Sequence, residues 1–331
     1  IGMPVYNGER FLAEAIESLL EQTFGDLEVI ISDNGSTDRT EEICRDYADR
    51  EPRIRYQRHE QNRGAIWNFN HVFALARGEY FKWWSYDDTC APTFLERCVQ
   101  VLETHPDVVW CHTQSAKIDE QGTRLTKDPD AHPGFAGWVH TSQAGLPRQH
   151  FDSPRPHQRF RGVLLGTDWC VDSYGVIRTD ALRKTCLLPY CYGAEKVLMA
   201  DLSLQGPYHE VPETLFFQRV HSQASGNLRS AAAQHTFMNP QRSTRFAFTR
   251  IKLLGGYVKA IRHAELGAGE RWRCYAVLVS YVCQFRKWGR IVRTTLRGTG
   301  IKSHQARPPL GHRDDRALTI STEQPHEQAA P

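Results

Sequence analysis

Short apolar runs alternate with amphipathic segments through the first 120 residues. Residues 9–21 place their apolar side chains on one helical face, whereas residues 27–32 form a continuous apolar run of strand length. The alternation continues through further strand and helix patterns to a strand over residues 108–113. This order predicts an α/β fold with a doubly wound, mostly parallel sheet that is flanked by helices.

The second part of the chain is less regular. Residues 119–161 are rich in Pro, Gly, His and Ser and predict a long loop. A strand over 174–178, a helix over 194–204 and a strand over 214–220 follow, and residues 243–297 predict helix. We expect a main domain at 1–225, a C-terminal helical, basic amphipathic extension at 226–299 and a disordered tail at 300–331. The abrupt opening of the first strand suggests that an N-terminal piece is missing.

Composition narrows the classes of protein to which the chain can belong. A length of 331 residues allows a sizeable core, and the net charge of +3 gives no reason to expect nucleic-acid binding. Nine cysteines without a CxxC pair indicate a reduced, cytoplasmic chain. There is no apolar run of 18 residues, so we expect no membrane-spanning helix.

Two apolar runs stop at carboxylates. Asp33 follows residues 30–32, and Asp87 and Asp88 follow the aromatic strand over residues 80–84. Carboxyl ends of parallel strands meet at one edge of a sheet, where open α/β folds bind ligands. Because carboxylates, with phosphate oxygens, suit a hard divalent cation, the pattern predicts a phosphate-bearing ligand and a metal. Asp38 fits a helix cap better than a ligand.

Four motifs in order resemble the signature of family-2 glycosyltransferases. They are Pro4-Val5-Tyr6-Asn7-Gly8, the turn from Ser32 to Asp38, Asn62-Arg63-Gly64, and Asp87-Asp88. The resemblance implies a GT-A fold and inverting transfer from a nucleoside-diphosphate sugar donor to a glycan, lipid-linked or small-molecule acceptor, as in cell-envelope polysaccharide synthesis.

The resemblance also implies roles for individual residues. The nucleotide-sugar contacts would be Pro4, Tyr6, Asn7, Asp33, Asn62, Gly64, Asp87 and Arg219. The ligands of a divalent cation, Mn or Mg, would be Asp87, Asp88 and His221. The general base would be Glu195, with Asp201 a distant second, although Lys196 could pair with Glu195. Ser85 stands where the family commonly has another Asp, which predicts a weaker metal site.

The segment from Arg271 to Lys302 carries eight basic residues and no acidic one among aromatic and aliphatic side chains. Such a segment predicts either a membrane-surface helix, which would make the protein peripheral at the inner face of the membrane, or a helix packed on the main domain with a solvated basic face. Two rival functions stay open. One is a catalytically silent protein that binds nucleotide sugars or associates with membranes, and the other is a nucleotidyltransferase, which would normally carry a Gly-rich basic loop.

Overall fold

The computed structural model describes residues 1–125, 151–167, 170–224, 228, 231–240 and 249–283. The strands within these ranges are β1 Gly2–Val5, β2 Val29–Asp33, β3 Ile54–Arg58, β4 Tyr80–Phe81, β5 Thr89–Cys90, β6 Trp110–Ile118, β7 Val176–Arg178 and β8 Tyr208–Arg219. The α-helices are α1 Leu12–Leu20, α2 Thr40–Arg50, α3 Ala65–Ala74, α4 Phe94–Thr104, α5 Pro156–Arg161, α6 Thr179–Arg183, α7 Ala194–Gln205, α8 Ala231–Met238, α9 Thr249–His263 and α10 Ala268–Val282.

The sheet is parallel at its N-terminal side and mixed beyond it. Strands β1, β2 and β3 lie side by side in parallel, and the remaining strands follow the order β4-β7-β6-β8-β5. Gly2 joins the two parts, because its N–H donates to Lys82 O and its C=O accepts from Trp84 N, each at 2.9 Å. Strands β6 and β8 are parallel, whereas β7 runs antiparallel to β4 and β6. The predicted α/β fold is confirmed, and the sequence pattern gave no sign of the antiparallel β7.

Helices cover both faces of the sheet. Met3 and Ile31 project to one face, where they pack in a common core with Leu12 of α1. On the opposite face Gly2 lies so close to α3 that an added Cβ would sit 2.7 Å from Val72 Cγ2. The apolar strands therefore have no solvated face, which is why they read as continuous apolar runs.

Two predictions of secondary structure need correction. Residues 156–161, predicted as loop, form α5, because Arg159 and Phe160 are buried. Within the predicted helix over 243–297, the described part is two helices, α9 and α10, interrupted at residues 264–267. Residues 126–150 of the predicted loop, residues 284–297 and the predicted tail at 300–331 lie outside the described residues.

The helices beyond residue 225 pack onto the main domain. Contacts join α9 to α7 and α10 to α5, and residues Ile1–Cys283 form one compact unit. The expected extension is thus, in its described part, continuous with the α/β core. No helix among the described residues has the length and apolarity needed to cross a membrane.

Candidate active site

The loop after β1 is tied to the turn after β2. The N–H of Asn7 donates to Ser36 Oγ at 2.9 Å, and the N–H of Thr37 donates to Asn7 Oδ1 at 2.9 Å. Asn7 adopts a positive φ of 52°, a conformation that Asn tolerates better than most residues. Pro4 is buried within β1, whereas 41% of Tyr6 is exposed beside Asn7. The segment thus leaves the sheet at its carboxyl edge with one aromatic ring free to meet a ligand.

Asp33 is the last residue of β2 and its side chain is fully buried. One carboxylate oxygen accepts the N–H of Ser36 at 2.8 Å, and the other accepts the hydroxyl of Tyr56 at 2.8 Å. Arg58 Nε lies 3.7 Å from the second oxygen. Since a carboxylate has about four acceptor positions, these contacts leave capacity for a further donor.

The Asn62–Gly64 loop is held against the same turn. Asn34 Nδ2 donates to Asn62 Oδ1 at 2.9 Å, and Asn34 Oδ1 accepts the N–H of Arg63 at 3.0 Å. Gly64 has a φ of 90°, and a Cβ there would lie 2.3 Å from the carbonyl oxygen of Met238. A side chain at residue 64 is therefore excluded both by the backbone conformation and by α8.

The acid pair follows the segment that joins β1, so it lies at the same edge as Asp33. Ser85 Oγ donates to Asp87 Oδ1, and His221 Nε2 lies 2.9 Å from Asp87 Oδ2. Asp88 Oδ1 accepts the N–H of Arg219 at 2.9 Å. Burial, and then the charge of Asp87, raises the pKa of Asp88 well above its usual range, although the Arg219 N–H opposes the shift. Asp87, whose side chain is 15% exposed, is the more accessible carboxylate.

Arg219 is held inside the protein. Its Nε donates to Asp87 O at 2.9 Å, its Nη1 donates to Asp119 O and Glu120 O at 3.0 and 3.2 Å, and its Nη2 pairs with Glu14 at 2.6 Å. None of the side chain is exposed. These contacts argue against the predicted diphosphate contact and favour a structural role, in which Arg219 holds the loop that carries Asp87.

Glu195 lies in the first turn of α7, after Gly193, which caps the helix at a φ of 79°. Burial raises the pKa of the Glu195 carboxyl, and its own backbone N–H only partly opposes the shift. Lys196 donates from Nζ to Thr167 O at 2.5 Å. A carboxyl with a raised pKa is a stronger base than an ordinary Glu.

Asp201, the distant second candidate for the base, is buried on α7. Its Oδ2 accepts the N–H of Cys186 at 2.7 Å. A carboxylate used in this way anchors the chain ahead of α7, so the structure favours a structural role for it.

Tyr174 is influenced by the charges of both the acid pair and Glu195, and the sequence gave no reason to select it. Burial, followed by the charges of Glu195, Asp88 and Asp87, raises the pKa of its phenol well above the usual range. Its ring stacks on Phe216 with centroids 6.3 Å apart. The charges of the predicted base and of the predicted metal-binding acids therefore act on the same phenol.

Other residues of the site were also missed. They are Asn34, Ser36 and Tyr56, which hold the Asp33 turn, and Phe11, whose ring contacts His221 at 4.8 Å between centroids. Asn34 and Ser36 lie within a quoted motif, but nothing in the local pattern of Phe11 or Tyr56 points to the site.

The fit of a divalent cation can be tested on the donor atoms. Among the described residues no group of three or more His, Cys, Asp or Glu side chains is placed to hold a metal ion. Asp87 and His221 are adjacent, however, and Mg²⁺ or Mn²⁺ is commonly held by one or two carboxylates with substrate phosphates and water. Asp88 is buried with one oxygen on a backbone N–H, which argues against its predicted metal role. The residues fit a cation whose remaining ligands come from the substrate.

The comparisons with known proteins identify the family. The profile of "Glycosyl transferase family 2" matches residues 1–182, more than half of the chain, so the chain belongs to this family. The predicted family is confirmed.

Curated relatives and a solved structure agree. The chain is 35% identical over 127 residues to an uncharacterized glycosyltransferase of Rickettsia felis, which covers 37% of the chain and 20% of that protein. It is 38% identical over 110 residues to the uncharacterized glycosyltransferase EpsJ of Bacillus subtilis, which covers 33% of the chain and 32% of that protein. The chain thus spans a third or less of either relative's length. The structure of S. aureus TarS 1–349 in complex with UDP superposes with a TM-score of 0.58 at 15% identity, over 91% of this chain and 74% of that one, and shows the shared fold.

Proposed function

We propose that the protein is an inverting, nucleotide-sugar-dependent glycosyltransferase. One observation carries the proposal: the end of β1, the Asp33 turn, the Asn62–Gly64 loop and Asp87 meet at one edge of the sheet. Such an edge suits a ligand with a base, a diphosphate and a sugar. Membership of glycosyl transferase family 2 supports the same reading.

In this proposal the nucleotide lies along the N-terminal loops. The exposed ring of Tyr6 packs on the base. Asp33 retains acceptor capacity for the base but is fully buried, so its direct hydrogen bond to the base stays a prediction, and its observed contacts hold the turn below. Pro4 and Gly64 shape the pocket with their backbone, and Asn7 and Asn62 hold its loops.

The diphosphate lies at Asp87. Asp87 and His221 would hold Mn²⁺ or Mg²⁺, and a bound cation would offset the charge of the departing nucleoside diphosphate. Arg219 and Asp88 act on this centre indirectly, since Arg219 binds the Asp87 carbonyl and Asp88 binds the Arg219 N–H. Ser85 stabilises Asp87 by donating a hydrogen bond, which an Asp at that position would not do while ionised.

Glu195 serves as the general base. It takes the proton of the acceptor hydroxyl while the hydroxyl oxygen attacks the anomeric carbon on the face opposite the diphosphate. The new bond joins the acceptor oxygen to the sugar, and the bond between the sugar and the diphosphate oxygen breaks. The raised pKa of Glu195 suits this step, because a general base works best when its pKa lies near the operating pH. The identity of the sugar and the class of acceptor (glycan, lipid-linked or small molecule) stay predictions.

Ser85 gives some support to the second candidate function, a silent nucleotide-sugar-binding protein, because of the two acids only Asp87 is accessible, and only in part, to a metal. A turnover assay distinguishes the two functions, whereas a nucleotide-sugar binding measurement does not.

Isothermal titration calorimetry with UDP, GDP and their sugars tests the donor site, with Mn²⁺ and with chelator. We expect one nucleotide class to bind, its affinity to fall in chelator, and Asp87→Ala to abolish the difference. Asp46→Ala is the matched control, since it removes a carboxylate from the surface of α2, and it should behave as the wild type. Affinity that does not change with chelation would remove the metal from the proposal, and failure to bind any nucleotide would overturn it.

A further inference from the structure

Helix α10 presents an exposed apolar stripe on its outer side. Trp272, Ala276, Val279 and Cys283 are exposed, with 74% of Trp272 and 62% of Val279 accessible. Their spacing of four, three and four residues places them within an arc of about 60° on a helix of 100° per residue. We call this set the α10 stripe. Exposed apolar side chains aligned in this way are typical of an interaction surface.

The stripe is held rigidly to the catalytic domain. The opposite side of α10 buries Cys274, Val277, Leu278 and Tyr281. Glu270 near the start of the helix pairs with His157 of α5 at 2.7 Å. Because α10 is anchored by its inner face, the outer stripe is a fixed feature of the folded protein rather than the result of a loosely attached helix.

The two helices that carry and flank the stripe are net positive. Residues 249–283 contain six basic and two acidic residues, a net charge of +4, in a chain whose net charge is +3. Among them, Lys252, Lys259 and Arg262 of α9 and Arg273 of α10 are exposed. The helix pair α9 and α10 is therefore more basic than the chain as a whole, and Arg273 lies beside Trp272 of the stripe in the sequence.

These observations point to one occupant. We propose that the α10 stripe docks on an anionic lipid surface, with Trp272 and Val279 inserted at the interface and the surrounding basic residues on lipid headgroups. A second copy of the chain would bring two net-positive surfaces together, so like charge disfavours it as the occupant. An anionic bilayer matches both the apolar and the charged parts.

Helix α9 lies between α10 and the helix that carries the proposed base. Leu253 of α9 is the nearest neighbour of Gly193, two residues before Glu195, and α9 packs along α7. Tyr281 of α10 contacts both Arg250 and Tyr257 of α9, so the two helices run antiparallel and the start of α9 lies near the end of α10.

Vesicle co-sedimentation with the full-length protein tests the proposal, with vesicles of phosphatidylcholine alone and vesicles in which a third of the lipid is phosphatidylglycerol. We expect binding only to the anionic vesicles and weaker binding at high salt. The double variant Trp272→Glu/Val279→Glu should reduce binding by about tenfold or more, because it replaces two inserted apolar side chains with anions. Phe237→Glu is the matched control, since Phe237 on α8 is also an exposed apolar residue, and it should bind as the wild type.

The outcomes that overturn the proposal are distinct. Unchanged vesicle binding by the double variant would show that the α10 stripe does not bind the membrane. Equal binding to both vesicle types would show that anionic headgroups are not recognised. A dimer in light scattering that the double variant converts to a monomer, without vesicle binding by the wild type, would make the stripe a subunit interface. None of these measurements requires donor or turnover, so they are independent of the proposed glycosyl transfer.

Discussion

Glu195→Gln separates the role of this carboxyl in proton transfer from its role in the fold. The glutamine keeps the size and hydrogen-bonding capacity of the side chain but cannot take a proton. Positioned proton transfer contributes about 10²-fold or more to rate, so kcat should fall by at least that factor, equivalent to about 2.7 kcal/mol in the barrier. Donor affinity should not change, because the N-terminal loops and Asp87 are untouched.

The pH dependence gives a second readout. Because burial raises the Glu195 pKa, the acidic limb of the kcat profile should lie above 4.5, the ordinary value for Glu, and the Gln variant should lose this limb. A carboxyl with a raised pKa contributes stability below its unfolded-state pKa, and the contribution is lost as pH rises through the folded-state pKa. The Gln variant should therefore melt at the same or a higher temperature than the wild type at neutral pH. This difference in melting temperature should be smaller at acidic pH.

Asp201→Asn is the matched control, since it makes the same chemical change on the same helix. It should lower stability, because the Asp201 carboxylate accepts the Cys186 N–H at 2.7 Å, and leave kcat within a few-fold of wild type. Quenched-flow or steady-state release of nucleoside diphosphate, with melting curves for each variant, provides the assay. A Glu195→Gln variant that is folded and transfers sugar at nearly the wild-type rate would refute the assignment of Glu195 as the base.

Four further substitutions test the positioning contacts. His221→Ala should lower cation-dependent donor affinity by about 10- to 100-fold in calorimetry, because His221 orients Asp87, and an unchanged affinity would contradict this role. Arg219→Lys should cost about 2–4 kcal/mol of unfolding free energy in urea, since a lysine cannot reproduce the buried fork of contacts, and a neutral result would contradict the structural role. Gly64→Ala should destabilise by about 1–2 kcal/mol or more because of its positive φ and the carbonyl of α8. Gly255→Ala, inside α9 where an added Cβ meets nothing, should instead stabilise by about 0.5–1 kcal/mol, and equal effects at the two glycines would contradict the explanation.

The fold was largely predictable because the N-terminal strands are apolar on both faces and their helices have clear amphipathic periods. Strand β7 was not predictable, since its antiparallel pairing with β6 and β4 depends on how a distant segment returns to the sheet. Helix α5 was missed for a related reason: its Pro- and Arg-rich sequence reads as loop, and burial of Arg159 through contacts with the carbonyls of Ser203 and Ser153 stabilises it.

The site was predictable where sequence order alone encodes it. Strand ends place Asp33 and Asp87 at one edge, whatever the detailed packing. The functions of Arg219 and Asp88 were harder to predict, because a motif gives the residue type but not its partners. Only the structure places the Arg219 guanidinium on protein carbonyls and the Asp88 carboxylate on a backbone N–H. Tyr174 carries no local signal, since the influence of Glu195 and the acid pair on its phenol arises from tertiary packing.

Sugar transfer by the purified protein tests the central claim most directly. A panel of nucleoside-diphosphate sugars is incubated with Mn²⁺ or Mg²⁺ and with glycan, lipid-linked and small-molecule acceptors, and release of nucleoside diphosphate is measured with the linkage of the product. The proposed function predicts release that an acceptor accelerates, a product with inverted anomeric configuration, and loss of both in Asp87→Ala and Glu195→Gln. Binding of a nucleotide sugar with no turnover for any donor and acceptor, or turnover that both variants retain, would contradict it.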